Sequence, residues 1–227
     1  MVFSKRLEFL YAPLQNSDFY PDGVVDEYRY AQSSPRVLYL LKEVNHHPED
    51  RKVEGPFDLR EFLREHIEWY ASKDKAFRMW RNASKYLYGI FHGFPPFAHV
   101  DSLPSQQLAD ILRQVAFVNV KKSAGSAKSY WPDVYKEGTS SQALWPKQVH
   151  LFDPDIILCG GTFSIAEQLI PQKSQEQVGP LSFFVDKWER VYVDFYHPAT
   201  WHKARELIYD ELRVCMQRVS QFIRSSE

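Results

Sequence analysis

Four short, continuous runs of apolar residues stand out along the chain, and proline, glycine or charged residues bound each of them. The runs are VLYLL (37–41), AFVNV (116–120), IILC (156–159) and VYVDFY (191–196). Short runs of β-branched and aromatic residues predict strands. Because their apolarity is continuous rather than alternating, both faces should be buried, as in a parallel sheet.

Helical periodicity fills the intervals between these strands. Apolar residues recur every three or four positions over residues 58–70, 76–91 and 200–222, and helices are also expected over 103–115, 140–151 and 162–169. Residues 15–34, 123–138 and 171–190 are expected to be polar loops. Strands that alternate with helices predict an α/β sandwich with a largely parallel sheet.

Residues that can bind a ligand or take part in catalysis follow every predicted strand. In a parallel sheet, ligands bind at the carboxyl ends of the strands, so these residues should converge at one edge. They are Lys42 to His47, Asn119 with Lys121 to Ser123, Gly160 to Thr162, and His197 to Thr200.

His197 lies between a predicted strand and a long predicted helix. The amide groups at a helix start disfavour a protonated imidazole. A neutral His at this place can donate a hydrogen bond to an oxygen that gains negative charge during a reaction. The alternative is a His that only caps the loop.

Glu43 and Asn45 follow the first strand. Glu43 can act as a general base for water, and Asn45 can orient that water or bind an amide. The alternative is that Glu43 pairs with Lys42 or caps a turn. His46, His47 and His202 also suggest a metal site. Adjacent histidines rarely bind one ion together, however, and the sequence has no HExxH spacing, so we expect no metal.

Asn119 interrupts the apolar run of the second strand, where a bare amide is unfavourable unless it is hydrogen-bonded. Its donor and acceptor suit the edge of a pyrimidine, although neighbouring backbone groups can satisfy them equally well. Residues 119–128 contain three lysines and no acid, which suits a phosphate backbone or forms a solvated loop. Gly161 and Thr162 open a helix and are suited to a phosphate or simply to tight packing.

Composition limits the classes of function. The chain of 227 residues has 28 Lys and Arg against 29 Asp and Glu, a formal net charge of -1. This balance excludes a polybasic DNA coat and requires any DNA-binding face to be locally positive. Two cysteines are too few for a disulfide framework or a cluster bound only by Cys, so we expect a reducing cytoplasmic setting. We expect neither a signal peptide nor a membrane span.

The four strand-end segments, in this order, resemble those of the uracil-DNA glycosylase superfamily. They are VLYLLKEVN (37–45), AFVNVKKSAG (116–125), DPDIILCGGTFSIAEQL (153–169) and VYVDFYHPAT (191–200). The resemblance covers about residues 36–215. It implies a three-layer α/β/α sandwich with a central four-stranded, largely parallel sheet. The chain would form one domain over residues 1–227, with residues 1–34 as an N-terminal extension.

The resemblance also implies roles for individual residues. His197 matches the motif His that stabilises the departing base, and Glu43 or Asn45 takes the water-activating place. Asn119 resembles the base-reading Asn, and His46 would join it in binding the base. The expected DNA contacts are Lys42, Lys121, Lys122, Ser123, Lys128, Gly161, Thr162, Thr200, Trp201 and Lys203.

The expected activity is therefore hydrolysis of an N-glycosidic bond after the base is flipped out of DNA. No cofactor is expected, and the partner is DNA, bound by a monomer. The first motif lacks the family's Gly-Gln-Asp-Pro-Tyr-His, and Ala199 stands where Ser is usual. The expected base is therefore uracil or, in better agreement with the altered motif, a modified pyrimidine, and the expected setting is base-excision repair or defence against phage DNA. The alternatives are an inactive module that binds nucleic acid, and a nucleosidase acting on free nucleosides.

Overall fold

The computed structural model describes residues 3–14, 19–45, 58–70, 78–125 and 129–226. His46 and Lys128, two of the candidate site residues, lie outside the described residues. Asn45 is described by its backbone alone.

Strands and helices alternate along most of the described chain. The strands are β1 Gly23–Val24, β2 Val37–Leu41, β3 Val44–Asn45, β4 Val115–Asn119, β5 Ala124–Gly125, β6 Ile156–Gly160, β7 Gln172–Val178, β8 Leu181–Asp186 and β9 Val191–Phe195. The helices are α1 Ser4–Tyr11, α2 Glu27–Gln32, α3 Leu59–Tyr70, α4 Arg78–Phe91, α5 Phe97–Asp101, α6 Ser105–Arg113, α7 Trp131–Gly138, α8 Trp145–Phe152, α9 Phe163–Leu169 and α10 Arg205–Ser226.

Seven of the described strands form one mixed sheet in the order β1-β4-β2-β6-β9-β8-β7. The four strands predicted from the sequence form its middle, where β4, β2, β6 and β9 are parallel neighbours. β1 joins β4 in the antiparallel direction, and β8 and β7 extend the sheet antiparallel beyond β9. The α/β class is confirmed. The expected four-stranded, largely parallel sheet is corrected to a seven-stranded mixed sheet.

The segments expected to be polar loops hold regular structure. Residues 171–190 form the β7–β8 hairpin, which turns at Gly179 in the left-handed conformation (φ 60°). Residues 19–34 contain β1 and α2, and α7 lies within 123–138. These predictions were wrong because β7 is polar at most positions and β1 has only two residues, so neither shows an apolar run.

Several helices begin later than the periodicity indicated. The helix expected over 200–222 begins at Arg205, because residues 197–204 form an irregular turn after β9. The helix expected over 140–151 begins at Trp145, followed directly by Pro146, a residue favoured in a first turn. None of the described helices combines the length and apolarity needed to cross a membrane.

Separate apolar clusters cover the two faces of the sheet. Side chains alternate along β2, so Val37, Tyr39 and Leu41 enter one cluster while Leu38 and Leu40 enter the other. Helices α3, α4, α6 and α10 contribute to the first cluster, and α1, α8 and α9 contribute to the second. Burial of each aliphatic side chain contributes roughly 1.5–3 kcal/mol. The parallel strands are therefore apolar on both sides, as their sequences indicated.

Candidate functional site

The four parallel strands end at one edge of the sheet, as expected from their direction. Pairing of β2 with β4 continues past the strand ends, because Val120 N–H donates to the Leu41 carbonyl and Lys121 N–H donates to the Lys42 carbonyl, both at 2.9 Å. The chain segments after the two strands therefore stay side by side. This places Lys42 and Glu43, which follow β2, beside Lys121, which follows β4.

His197 follows β9 in a short hydrogen-bonded turn. The N–H of Ala199 donates to His197 Nδ1 at 3.2 Å, and the N–H of Thr200 donates to the His197 carbonyl at 2.9 Å. A ring nitrogen that accepts from an amide carries no proton, so the neutral imidazole holds its proton on Nε2. The backbone of the turn thus sets the tautomer of this ring.

The environment of His197 favours the neutral ring. Burial lowers the pKa of His197, and the positive charge of Lys42 lowers it further, to about 4. Both effects disfavour the imidazolium ion. At neutral pH, His197 is therefore an uncharged donor through Nε2, which is the state that suits an oxygen gaining negative charge.

Lys42 lies against Gly161, just before α9, and is near enough to His197 for its charge to lower the pKa of that ring. A Cβ atom placed on Gly161 would lie 3.2 Å from Lys42 Cε, and Gly161 itself is left-handed, with φ 71°. Lys42 Nζ also lies 5.7 Å from the centre of the Trp131 ring, which suits a cation–π contact. The structure brings Lys42, Gly161 and His197 together, and among the described residues no carboxylate forms an ion pair with Lys42.

Gly161 and Thr162 are engaged within the fold. Gly161 N–H donates to the Phe195 carbonyl at 3.0 Å. The buried hydroxyl of Thr162 donates to the Leu40 carbonyl at 2.9 Å. These bonds join the ends of β2, β6 and β9. They give Gly161 and Thr162 a structural role within the fold. Their contact with DNA stays a prediction.

Glu43 is buried, with 4% of its side chain exposed, and Lys121 Nζ lies 2.7 Å from its Oε2. Its other oxygen, Oε1, is buried and has no hydrogen-bond partner among the described residues. A Cβ atom on Gly125 would lie only 2.0 Å from Glu43 Cδ, so this carboxyl group fits because residue 125 is glycine. β3 and β5 pair here through Val44 with Ala124 and Asn45 with Gly125.

Asn119 is 2% exposed and bonds to a residue that the sequence did not suggest. Its backbone N–H donates to Asp22 Oδ2 at 2.7 Å, and its side-chain Nδ2 donates to the same oxygen at 3.3 Å. One hydrogen of the amide is therefore used inside the protein. These hydrogen bonds connect Asn119 to Asp22. No hydrogen bond in the described part of the chain connects Asn119 to Lys42 or His197.

Asp22 is fully buried at the centre of a polar network. Lys122 Nζ lies 2.7 Å from its Oδ2, and Gln148 Nε2 donates to its Oδ1 at 2.8 Å. The Tyr11 hydroxyl donates to the Asp22 carbonyl at 2.5 Å. Burial lowers the pKa of Lys122, and Asp22 opposes that shift. The sequence signal was absent, because Asp22 lies in a polar segment about 100 residues from Asn119 and Lys122.

Two other residues that were predicted to contact DNA form bonds with side chains of the protein itself. Lys203 Nζ lies 2.5 Å from Glu211 Oε1 and donates to the Tyr196 hydroxyl at 2.7 Å, and both bonds raise the pKa of Lys203. The Ser123 hydroxyl donates to Glu137 Oε1 at 3.3 Å. Trp201 is different, because 82% of it is exposed in the turn that follows His197.

The predicted positive face is weaker than the sequence suggested. Of the lysines expected there, Lys121, Lys122 and Lys203 each pair with a carboxylate, while Lys128 is not described. Their charges are largely compensated within the protein. Lys42 is the described member of that group without such a partner.

A cavity of about 410 Å³ opens beside the end of β4. Its lining includes the predicted residues Lys122 and Ser123, together with Phe19, Glu137 and Leu144. It adjoins the Asp22 network rather than His197. In the part of the chain that is described, no group of three or more His, Cys, Asp or Glu side chains is arranged to hold a metal ion.

Compared with known proteins, this chain matches no family model, no curated protein and no solved structure.

Proposed function

We propose that the chain is a monofunctional DNA glycosylase-like hydrolase, which flips a base out of DNA and hydrolyses its N-glycosidic bond. The finer fold that accompanies this proposal is a three-layer α/β/α sandwich, because apolar clusters and helices lie on both faces of the sheet. The strand-end segments that carry the resemblance also lie at one edge, where ligands of parallel sheets bind.

The observation that carries the proposal is the state of His197. It is neutral, has its proton on Nε2, and is influenced by the positive charge of Lys42. Departure of a base leaves negative charge on the base and positive charge on the sugar. A neutral donor stabilises the base oxygen without adding a second cation beside the sugar.

Glu43 is the better candidate for orienting water. Lys121 holds Oε2, while the buried Oε1 has no partner among the described residues. A buried acceptor without a donor is unfavourable by about 1–3 kcal/mol, which favours a ligand donor at this position. Water would then give one proton to Glu43 while its oxygen bonds to C1′ and the bond from C1′ to the base nitrogen breaks. The base would leave as an anion and take up a proton from solvent, and Glu43 would return its proton to solvent.

The substrate we propose is a modified pyrimidine in DNA, because the first strand-end segment differs most from the family pattern. Asn119 would read the base edge with the amide hydrogen and oxygen that Asp22 does not use. Repair and defence against phage DNA are both consistent with this chemistry.

A panel of duplexes containing uracil, hypoxanthine or modified cytosines tests the proposal. We expect strand cleavage after alkali with at least one duplex, no cleavage before alkali, and loss of the product with His197→Ala. Intact strands from the whole panel with the unaltered protein would contradict the proposal.

One observation favours a second candidate, an inactive module that binds nucleic acid. Asn119 and Glu43 are both engaged by protein partners, Asp22 and Lys121. This candidate predicts DNA binding without base release. The same panel, combined with a gel-shift titration of each duplex, separates the two functions.

A further inference from the structure

The carbonyl groups of three consecutive residues around His197 are each held by a specific donor. Tyr39 donates its hydroxyl to the Tyr196 carbonyl at 2.9 Å. Thr200 N–H donates to the His197 carbonyl at 2.9 Å, and Asn82 Nδ2 donates to the Pro198 carbonyl at 2.8 Å. Two of these donors are side chains that lie far away in the sequence.

Asn82 is an unusual residue for its position in α4. It is 1% exposed, and the neighbouring Ala83, Tyr86 and Leu87 belong to the apolar cluster on the same side of the sheet. A buried amide in such surroundings is unfavourable unless it is hydrogen-bonded. Its Nδ2 is used on the Pro198 carbonyl, whereas its Oδ1 is buried and has no partner among the described residues.

Tyr39 acts on the other side of His197. It is fully buried in β2, and burial raises the pKa of its hydroxyl well above the ordinary value, so the hydroxyl stays protonated and donates. The Tyr196 and Pro198 carbonyls flank His197 in the chain. Holding both leaves the turn little freedom, and the Ala199 N–H then stays within reach of His197 Nδ1.

We propose that Asn82 is a positioning residue for His197, because its bond to the Pro198 carbonyl fixes the turn that sets the orientation and tautomer of the imidazole. Tyr39 supports the same turn from the sheet. The functional consequence rests on the proposed glycosylase function, in which His197 Nε2 must point at the departing base. The positioning itself does not depend on any substrate.

The test is the nitrogen NMR spectrum of His197 in protein with ¹⁵N-labelled histidine, assigned by comparison with His197→Gln. We expect the unaltered protein to show a proton on Nε2 across pH 5–8. In Asn82→Leu, which is similar in size and cannot donate, we expect both tautomers. We also expect the titration midpoint to rise by about 1 pH unit toward that of a free histidine.

Ser84→Ala is the matched control. Ser84 is also buried in α4, and its hydroxyl bonds to the Arg81 carbonyl within the helix, so its loss removes one buried hydrogen bond and leaves the His197 turn intact. We expect the spectrum of His197 to be unchanged in this variant. If Asn82→Leu does not fold, Asn82→Ser is measured instead, because serine is too short to reach the same carbonyl.

A folded Asn82 variant with the wild-type titration and nitrogen shifts of His197 would overturn the positioning role. Base release gives an independent readout, and we expect Asn82→Leu to slow single-turnover release at least tenfold with unchanged DNA affinity. If the unaltered protein releases no base, the proposed function fails, while the NMR result still decides the role of Asn82.

Discussion

Lys121 Nζ lies 2.7 Å from Glu43 Oε2, although the two residues are 78 positions apart. The sequence suggested a phosphate contact for the lysine and water activation for the carboxylate. The structure pairs them instead: Lys121 binds one carboxylate oxygen, while the buried Oε1 has no partner among the described residues. In the proposed function, the role of that oxygen is to accept a proton from water.

Glu43→Gln tests that role. The substitution keeps the size of the side chain but removes its charge and its capacity to accept a proton. We expect the single-turnover rate of base release to fall about 100-fold, within the usual range for loss of a general base. Glu206→Gln removes an exposed carboxylate from α10 and should leave the rate unchanged. Equal rates for Glu43→Gln and the unaltered protein would exclude Glu43 from the chemistry.

His197→Ala should lower base release by about 100- to 1000-fold, as the loss of one preorganised donor usually does. DNA affinity, measured by fluorescence anisotropy, should stay within about twofold, because the proposed donor acts on charge that develops only during the reaction. His150→Ala, an exposed position on α8, is the control. Unchanged turnover in His197→Ala would refute the proposed role.

The low pKa of His197 also predicts how stability depends on pH. Above about pH 6.5, His197 is neutral in the folded and unfolded chains and contributes no pH dependence. Between 6.5 and about 4, only the unfolded chain takes up the proton, so the free energy of unfolding falls as the pH falls. The slope from this one group is at most about 1.4 kcal/mol per pH unit.

Urea unfolding of the unaltered protein and of His197→Gln, each at pH 7.5, 6, 5 and 4.5, measures this contribution. The difference between the two proteins should change with pH below 6.5 and be constant above it. A constant difference over the whole range would show that His197 titrates normally in the folded protein.

The Asp22–Lys122 pair predicts a large effect on stability. Asp22→Leu leaves the buried Lys122 without its counter-charge and should lower the free energy of unfolding by about 3–5 kcal/mol. The double variant Asp22→Leu/Lys122→Met should recover much of that loss. Asp153→Asn removes an exposed partner of Arg36 and should change stability by less than about 1 kcal/mol. Additive effects of Asp22 and Lys122 would mean that their pairing contributes nothing.

The salt dependence of DNA binding distinguishes Lys42 from the paired lysines. Lys42→Met should reduce the slope of log Kd against log salt by about 1, the value for one lost phosphate contact. Lys203→Met/Glu211→Gln removes an ion pair without changing the net charge and should leave the slope unaltered. An unchanged slope in Lys42→Met would place the phosphate contacts elsewhere.

The middle of the sheet was predictable because burial on both faces leaves a direct trace in the sequence. Residues 37–41 and 156–159 are apolar at every position, and the structure buries all of them. The β7 strand left no such trace, since it is polar at six of its seven positions and is held by its neighbour β8. Its pairing partner, not its own pattern, makes it a strand.

The candidate site divides in the same way. His197 could be singled out from its place between a predicted strand and a predicted helix, but the expected reason for its neutral state was wrong. Because α10 begins only at Arg205, burial and the charge of Lys42, rather than a helix start, lower its pKa. Asp22 and Asn82 could not, because their roles depend on partners about 100 or more residues away. Long-range hydrogen bonds are set by tertiary packing, which periodicity along a single chain does not encode.

The polar β7 strand has a consequence for the protein in concentrated solution. A strand at the edge of a sheet exposes unpaired amide groups and can recruit strands from other molecules, which leads to aggregation. β7 carries Lys173 and Glu176, which pair with Glu189 and Arg218 and so place fixed charges along this edge. At the opposite edge, β1 is only two residues long. Each end of the sheet is thus a poor template for a foreign strand.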